Sequence, residues 1–275
     1  MHTWRWRTEE GLPYLTCSLL EAWPHGFFTQ QFWPRSPGEL VDFLHPNAQI
    51  YRVKQVHGNR VLTPSEIEIV WKQVGEGEPE IERSPADGVL TERSHQAVWV
   101  CSADCTPVLI ADSQTGQVAA VHAGWRGTAG RIVPQAIARL QLQGSQIQNL
   151  LVAMGPAITG KVYQVSHHVA AEVGASILPP ASASNTESIL DGLQQLPDSP
   201  ILADPQPGRV RLDVRRVNVL QMEQLGIHAE QIAIAPHCTY QEPEHFFSYR
   251  RDKLKKVQWS GIVSVQREEG RGKRG

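Results

Sequence analysis

The chain has 275 residues, a formal net charge of −2, 41% hydrophobic residues and 20% charged ones. That balance is ordinary for a folded protein with a sizeable core, and it excludes a global electrostatic pull toward nucleic acid or anionic membrane. Four cysteines are too few and too scattered for a disulfide framework, and no run approaches the ~20 apolar residues of a membrane span.

The opening MHTWRWRTEEG has no apolar h-region, so a cytoplasmic location is expected. Thr3–Arg7 and Tyr14–Leu19 read as two strands about the turn Glu10-Gly11-Leu12-Pro13. Trp23–Phe28 and Phe32–Gly38 read as an aromatic, Pro-punctuated loop region in which packing is the plainer role for Trp and Phe. Ile50–Val56 alternates as a strand that delivers His57, and the acidic Gly75–Arg83 reads as a solvated loop. Ala97–Cys101, Pro107–Ala111 and Gln117–Val121 are short, rich in Val, Ile and Ala, and bounded by turn residues, as strands are. Asp112–Gly116 closes the last two into a hairpin.

Ala129–Leu142 reads as a helix, with Thr128 as cap, Pro134 in its first turns and Gly144 as stop. Leu150–Met154 reads as a buried strand and Ser166–Val173 as a helix. Gly174–Pro207 is rich in Ala, Ser and Pro and reads as a variable excursion. Asp213–Leu225 is the clearest helix, capped by Asp213, striped by Val214, Val217, Leu220 and Leu225, and ended by Gly226. Gln231–Ala235 and Val257–Val265 read as strands. Strands outnumber helices, which predicts the α+β class: a single domain over residues 1–265, its mixed, largely antiparallel β-sheet core flanked by helices. Residues 266–275 form a basic, flexible tail in this reading.

An antiparallel pair closed by a tight turn brings its outer ends together. Cys105, just before the outgoing strand, is therefore expected beside His122, just after the returning one. His57 lies on another strand-to-turn edge. Two imidazoles and a thiolate are the donors of an open zinc site, with a fourth position left for water or substrate. Singly, each residue reads as a buried thiol or a satisfied histidine. Together, flanked by Gly58, Pro107, Gly124 and Gly127, they read as a site. A Cys–His hydrolase, with the Cys105 thiolate activated by His122, uses the same pair but leaves His57 without a task.

Around this group, Asp104 is a candidate proton carrier or histidine-orienting carboxylate. Asp87, in PADGVLT, is a turn residue that either caps or orients a ligand histidine. Arg126, in GWRG before a helix, suits an anion such as phosphate; a surface or core-bracing arginine is an equal reading. FFSYRRD, residues Phe246–Asp252, joins aromatics able to stack on a base to arginines able to hold phosphate; a plain strand with ion-paired arginines is an equal reading. Lys54 ranks lower, and His237 and Cys238 mark a site edge.

These residues also carry a resemblance. KQVHG, ADG with a following Thr, ADCTPVLIAD, VHAGWRG, MGPAI with a Tyr nearby, HCT and FFSYRRD occur in this order from Lys54 to Asp252. In this the chain resembles the purine nucleoside phosphorylase family once named multicopper polyphenol oxidase, or laccase-like. The resemblance implies a zinc-dependent phosphorylase that converts adenosine, inosine or 5′-methylthioadenosine and phosphate to free base and a ribose 1-phosphate, with adenosine deaminase activity in the same pocket. It also implies Zn2+ on His57, Cys105 and His122. Arg126, Arg250 and Asp104 are the candidate substrate contacts. The expected partners are purine nucleosides and phosphate, with no nucleic acid and no membrane. One departure is visible: where the family tends to carry Gly-Arg before its last strand, this chain has Trp259-Ser260-Gly261-Ile262.

Copper is the lesser expectation. Multicopper oxidation needs His-x-His pairs and a Cys–Met type site, whereas among 11 histidines only His167 and His168 are adjacent. A non-catalytic zinc module would need a fourth protein ligand, with Cys101 or His237 as the suspects. A Cys-dependent amidase editing cell-wall precursors is a further alternative.

Overall fold

Alternate residues of Thr106–Asp112 face two different cores. Leu109 and Ala111 pack with Leu15, Phe27, Val98 and Val100, while Val108 and Ile110 pack with Ile132, Val133 and Ile137. A strand covered on both sides needs no polar face, which explains its unbroken apolar run. The structure is a computed structural model that describes residues 2–67, 84–182 and 185–266.

In chain order the strands are β1 (Trp4–Glu9), β2 (Leu12–Cys17), β3 (His25–Phe28), β4 (Gln49–Tyr51), β5 (Val61–Leu62), β6 (Gly88–Leu90), β7 (Gln96–Ser102) and β8 (Thr106–Asp112). They continue with β9 (Val118–Ala123), β10 (Leu150–Met154), β11 (Gln164–Ser166), β12 (Ile201–Ala203), β13 (Arg209–Leu212), β14 (Ile232–Ile234) and β15 (Gln258–Val263). One six-stranded sheet has the order β1-β2-β3-β15-β7-β4 and is antiparallel except where β4 meets β7. The second, β14-β10-β8-β9-β6-β5, is parallel only in its two outermost pairs. β11, β13 and β12 form a small antiparallel sheet. Mixed, largely antiparallel sheets are thus what the chain builds.

The two large sheets share one core. Gly155, just past β10, packs tightly against Phe27 of β3: a Cβ there would stand 2.1 Å from the ring. Helix Pro37–Leu44 covers the outer face of the first sheet over Phe28, Trp99 and Val263. Trp99 is fully buried; a side chain of that size removes on the order of 200 Å² from water, worth about 5 kcal/mol. Helices Ile132–Leu142 and Val214–Glu223 cover the second sheet. Helices His167–Gly174 and Thr186–Gln194 close a separate core with the small sheet.

Several elements differ from the expectation. The helix expected over Ala129–Leu142 is two helices, Trp125–Ala129 and Ile132–Leu142, because Arg131 takes φ 57. The Gly130 carbonyl leaves the helical ladder and accepts from the side chains of Asn59 and Gln135. Thr128 is therefore no cap: it sits inside the first helix and accepts from Asn218. The excursion over Gly174–Pro207 contains helix Thr186–Gln194, capped by Asn185, and β12. His25–Phe28 is a strand rather than loop, paired with β2 and β15. The strand expected over Ile50–Val56 stops at Tyr51, beyond which Lys54 makes one isolated bridge to Pro85. The turn at Glu10-Gly11 is tighter than expected, and Leu12-Pro13 already belong to β2. The acidic loop Gly75–Arg83 and the tail beyond Gln266 lie outside the described residues.

Candidate metal centre and its cavity

The register of β8 and β9 pairs Thr106 with Ala123 and Pro107 with His122, so the residue before β8 meets the end of β9. Cys105 and His122 converge there as the hairpin requires. His57 arrives on a bend between β4 and β5 with φ 60. The left-handed region costs a residue bearing a Cβ about 1–2 kcal/mol, and one carboxylate holds the bend in place. The backbone N–H groups of Val56, His57 and Gly58 donate to Asp87 at 3.2, 2.9 and 2.7 Å. Asp87 is fully buried, and its Oδ1 also stands 2.9 Å from His122 Nδ1. Against a carboxylate Nδ1 carries the proton, which leaves Nε2 as the ligand atom. Burial alone would raise the Asp87 carboxyl, but His122 and these N–H groups outweigh it and hold it below the usual range.

One donor atom from each of His57, Cys105 and His122 lies within 4.8 Å of the others, and the two imidazoles stand 4.9 Å apart at 80°. Exposure is graded: His57 is exposed, Cys105 half-buried and His122 buried. Burial pushes the Cys105 thiol up, yet His122 and His57 outweigh it and bring it down to about 6. Burial pushes His122 down, and Cys105 with Asp87 overcomes that to raise it to about 9. These neighbours favour the Cys105 thiolate. Gly124 is required beside it, since a Cβ there would sit 2.8 Å from Cys105 Sγ. A thiolate and two imidazoles, converging and open on one side, fit a transition-metal ion. Cys101 does not join them among the described residues; burial pushes its thiol up to about 11, and its backbone pairs with the Gln55 amide. His237 is engaged with Glu242 at 2.7 Å, and Cys238 accepts from Thr159. Lys54 is exposed.

Cys105 lines a small cavity together with Asp104, Trp125, Ile158, Tyr163 and Val214. Arg126 and Arg250 flank it: the Arg126 guanidinium lies 4.3 Å from the Trp125 ring centroid, and that of Arg250 lies 4.7 Å from Tyr163. The helix bearing Arg126 has only 5 residues, so its dipole adds little to the anion site expected there. Asp104 has φ 99, and its two carboxylate oxygens accept from the Thr239 hydroxyl and the Arg250 N–H. It fastens the segment Ser248–Asp252 to the Cys105 turn, and the carboxylate that orients His122 is Asp87. The two arginines of FFSYRRD differ. Arg251 is spent on the carbonyls of Thr239, Tyr240 and Phe246 and on Asp252, whereas Arg250 gives one bond to Gln164 and faces Tyr163. Trp125 was visible within HAGWRG and Tyr163 near MGPAI, but nothing in their spacing marks them as cavity walls.

Residues 39–263 match the family described as multi-copper polyphenol oxidoreductase laccase. The chain belongs to that family. Among its relatives, a purine nucleoside phosphorylase of Synechocystis is 51% identical over 95% of this chain and 97% of its own. An adenosine deaminase, RL5, from an unknown prokaryotic organism is 29% identical over 72% of this chain and 68% of its own. The crystal structure of YlmD from Geobacillus stearothermophilus shares the fold, with a TM-score of 0.76 and 24% identity over 95% of this chain and 99% of that one. The family description speaks of copper. In this member the described residues bring together one group of three metal-capable side chains, His57, Cys105 and His122.

Proposed function

We propose that this protein is a zinc-dependent purine nucleoside phosphorylase that also deaminates adenosine. The observation that carries the proposal is the opening of Cys105, one member of the His57–Cys105–His122 cluster, onto a cavity walled by Trp125 and Tyr163, each backed by an arginine. The named activities of the relatives support the substrate class: one is a purine nucleoside phosphorylase and another an adenosine deaminase. Adenosine, inosine and 5′-methylthioadenosine are the proposed nucleosides, with orthophosphate as the second substrate. When bound, zinc would supply Lewis-acid polarisation beside the cavity.

The protein's own residues do the rest. Phosphorolysis breaks the bond between ribose C1′ and the purine nitrogen, forms a C1′–O bond to phosphate, and leaves the base to take up a proton. Holding an anion against the sugar converts an encounter into a positioned reaction, and Arg126 and Arg250 are the cations available for it. Trp125, Ile158 and Val214 supply an apolar wall that excludes water from the sugar and base. Asp104 holds Arg250 in register through its backbone N–H. Asp87 holds both histidines and is not free to shuttle protons.

Incubating the zinc-loaded protein with adenosine, with and without phosphate, and separating the products tests this reading. Phosphate-dependent adenine supports phosphorolysis and phosphate-independent inosine supports deamination. Formation of no product of either kind would overturn the proposal.

A further inference from the structure

Tyr163 is held by its backbone: its N–H donates to Thr159 and its carbonyl accepts from Leu212. The half-buried ring lines the cavity beside Cys105, with one face stacked against Arg250. Its hydroxyl finds no hydrogen-bond partner among the described residues, although it lies within electrostatic reach of Cys105, Arg250, Asp104 and Arg126. A phenol keeps its proton at neutral pH and is a hydrogen-bond donor there. The two guanidinium groups lack carboxylate partners among the described residues, unlike Arg251, which Asp252 holds at 2.8 Å. Stacking occupies the flat face of a guanidinium and leaves its in-plane N–H groups for an oxyanion; Arg250 spends one of them on the Gln164 carbonyl and keeps the rest. The nearby carboxylate, Asp104, is already spent on Thr239 and the Arg250 backbone. Two cations without carboxylate partners, both within electrostatic reach of one unsatisfied donor on the cavity wall, ask for an anion.

We propose that the Tyr163 hydroxyl binds the phosphate substrate, donating to an oxygen of the anion held between Arg126 and Arg250. The assignment rests on the phosphorylase reading and deepens it. Tyr163→Phe keeps the ring and its stack on Arg250 while removing only the donor. The expected result is a KM for phosphate raised about tenfold or more, with the KM for the nucleoside, kcat at saturating phosphate and zinc content changed less than about twofold. A rise in the nucleoside KM with an unchanged phosphate KM would overturn the assignment, as would loss of zinc from the variant. Calorimetric titration of both zinc-loaded proteins with inorganic phosphate separates this inference from the activity. Wild-type binding that weakens in Tyr163→Phe upholds the anion site even without turnover; equal binding in both, or none in the wild type, overturns it. The exposed Arg126→Gln variant is a second probe, and combining it with Tyr163→Phe is expected to cost less than the sum of the two single changes, because both act on one bound anion.

Discussion

Oδ1 of Asp87 accepts from His122 Nδ1 and, at the same 2.9 Å, from the backbone N–H of His57. One oxygen thereby fixes the tautomer of one candidate ligand and the backbone of another. Asp87→Asn keeps the shape but removes the charge and places an NH₂ against donors. It is expected to weaken metal binding roughly 10–100-fold and to lower stability by about 2–4 kcal/mol. Chelator competition and thermal melting of the metal-free protein measure the two effects separately; wild-type metal affinity in the variant would contradict this role.

Gly124→Ala places a methyl group 2.8 Å from Cys105 Sγ. The strand ends cannot part without breaking the β8–β9 register, so the sulfur must turn away. Metal affinity is expected to fall at least about tenfold, while the circular-dichroism spectrum stays that of the wild type. Full metal content by elemental analysis would show that the turn has room to give.

The metal-free site is expected to be a reactive thiolate at neutral pH. With Cys105 held at about 6 and His122 raised to about 9, the thiolate is protonated as pH falls through about 6, and the imidazolium loses its proton as pH rises through about 9. Iodoacetamide should therefore label Cys105 with a rate that climbs through pH 6, well below the usual cysteine range near 8.5, and bound zinc should block it. Zinc binding near pH 7 should release about one proton, from His122, measurable by calorimetry in buffers of different ionisation enthalpy. Labelling that begins only above pH 8 would refute the ion pair.

The adjacent arginines should separate cleanly. Arg251 closes three backbone carbonyls and Asp252, so Arg251→Ala is expected to cost about 2–4 kcal/mol of stability. Arg250 gives its side chain one protein hydrogen bond, so Arg250→Ala should cost about 1 kcal/mol while raising the phosphate KM. Melting curves beside steady-state kinetics would expose the reverse pattern.

The Cys105–His122 pair was legible because hairpin geometry is local: the Asp112–Gly116 turn sets the β8–β9 register, and the register brings Cys105 to His122; His57, held by Asp87 from far along the chain, was only suggested by its spacing and came with the family resemblance. Strands with two covered faces, such as β8 and β10, were equally plain. What the chain concealed depends on distant partners. Asn59 takes the carbonyl that a continuous helix would have used at Gly130, and β3 becomes a strand because β2 and β15 flank it. Helix Thr186–Gln194 buries only Ile189, Leu190 and Leu193, too few to stand out in a Ser- and Pro-rich stretch. The split of tasks between Arg250 and Arg251, and between Asp87 and Asp104, is likewise settled by hydrogen bonds across long separations.

Gly155, under the Phe27 ring, belongs to the MGPAI stretch yet touches no reacting group. It conserves a spacing between two walls. A descendant that had lost Cys105 and all turnover would still need that bare position to fold, and would still be grouped with its working cousins. Kinship here certifies the masonry, and the chemistry has to be checked ligand by ligand.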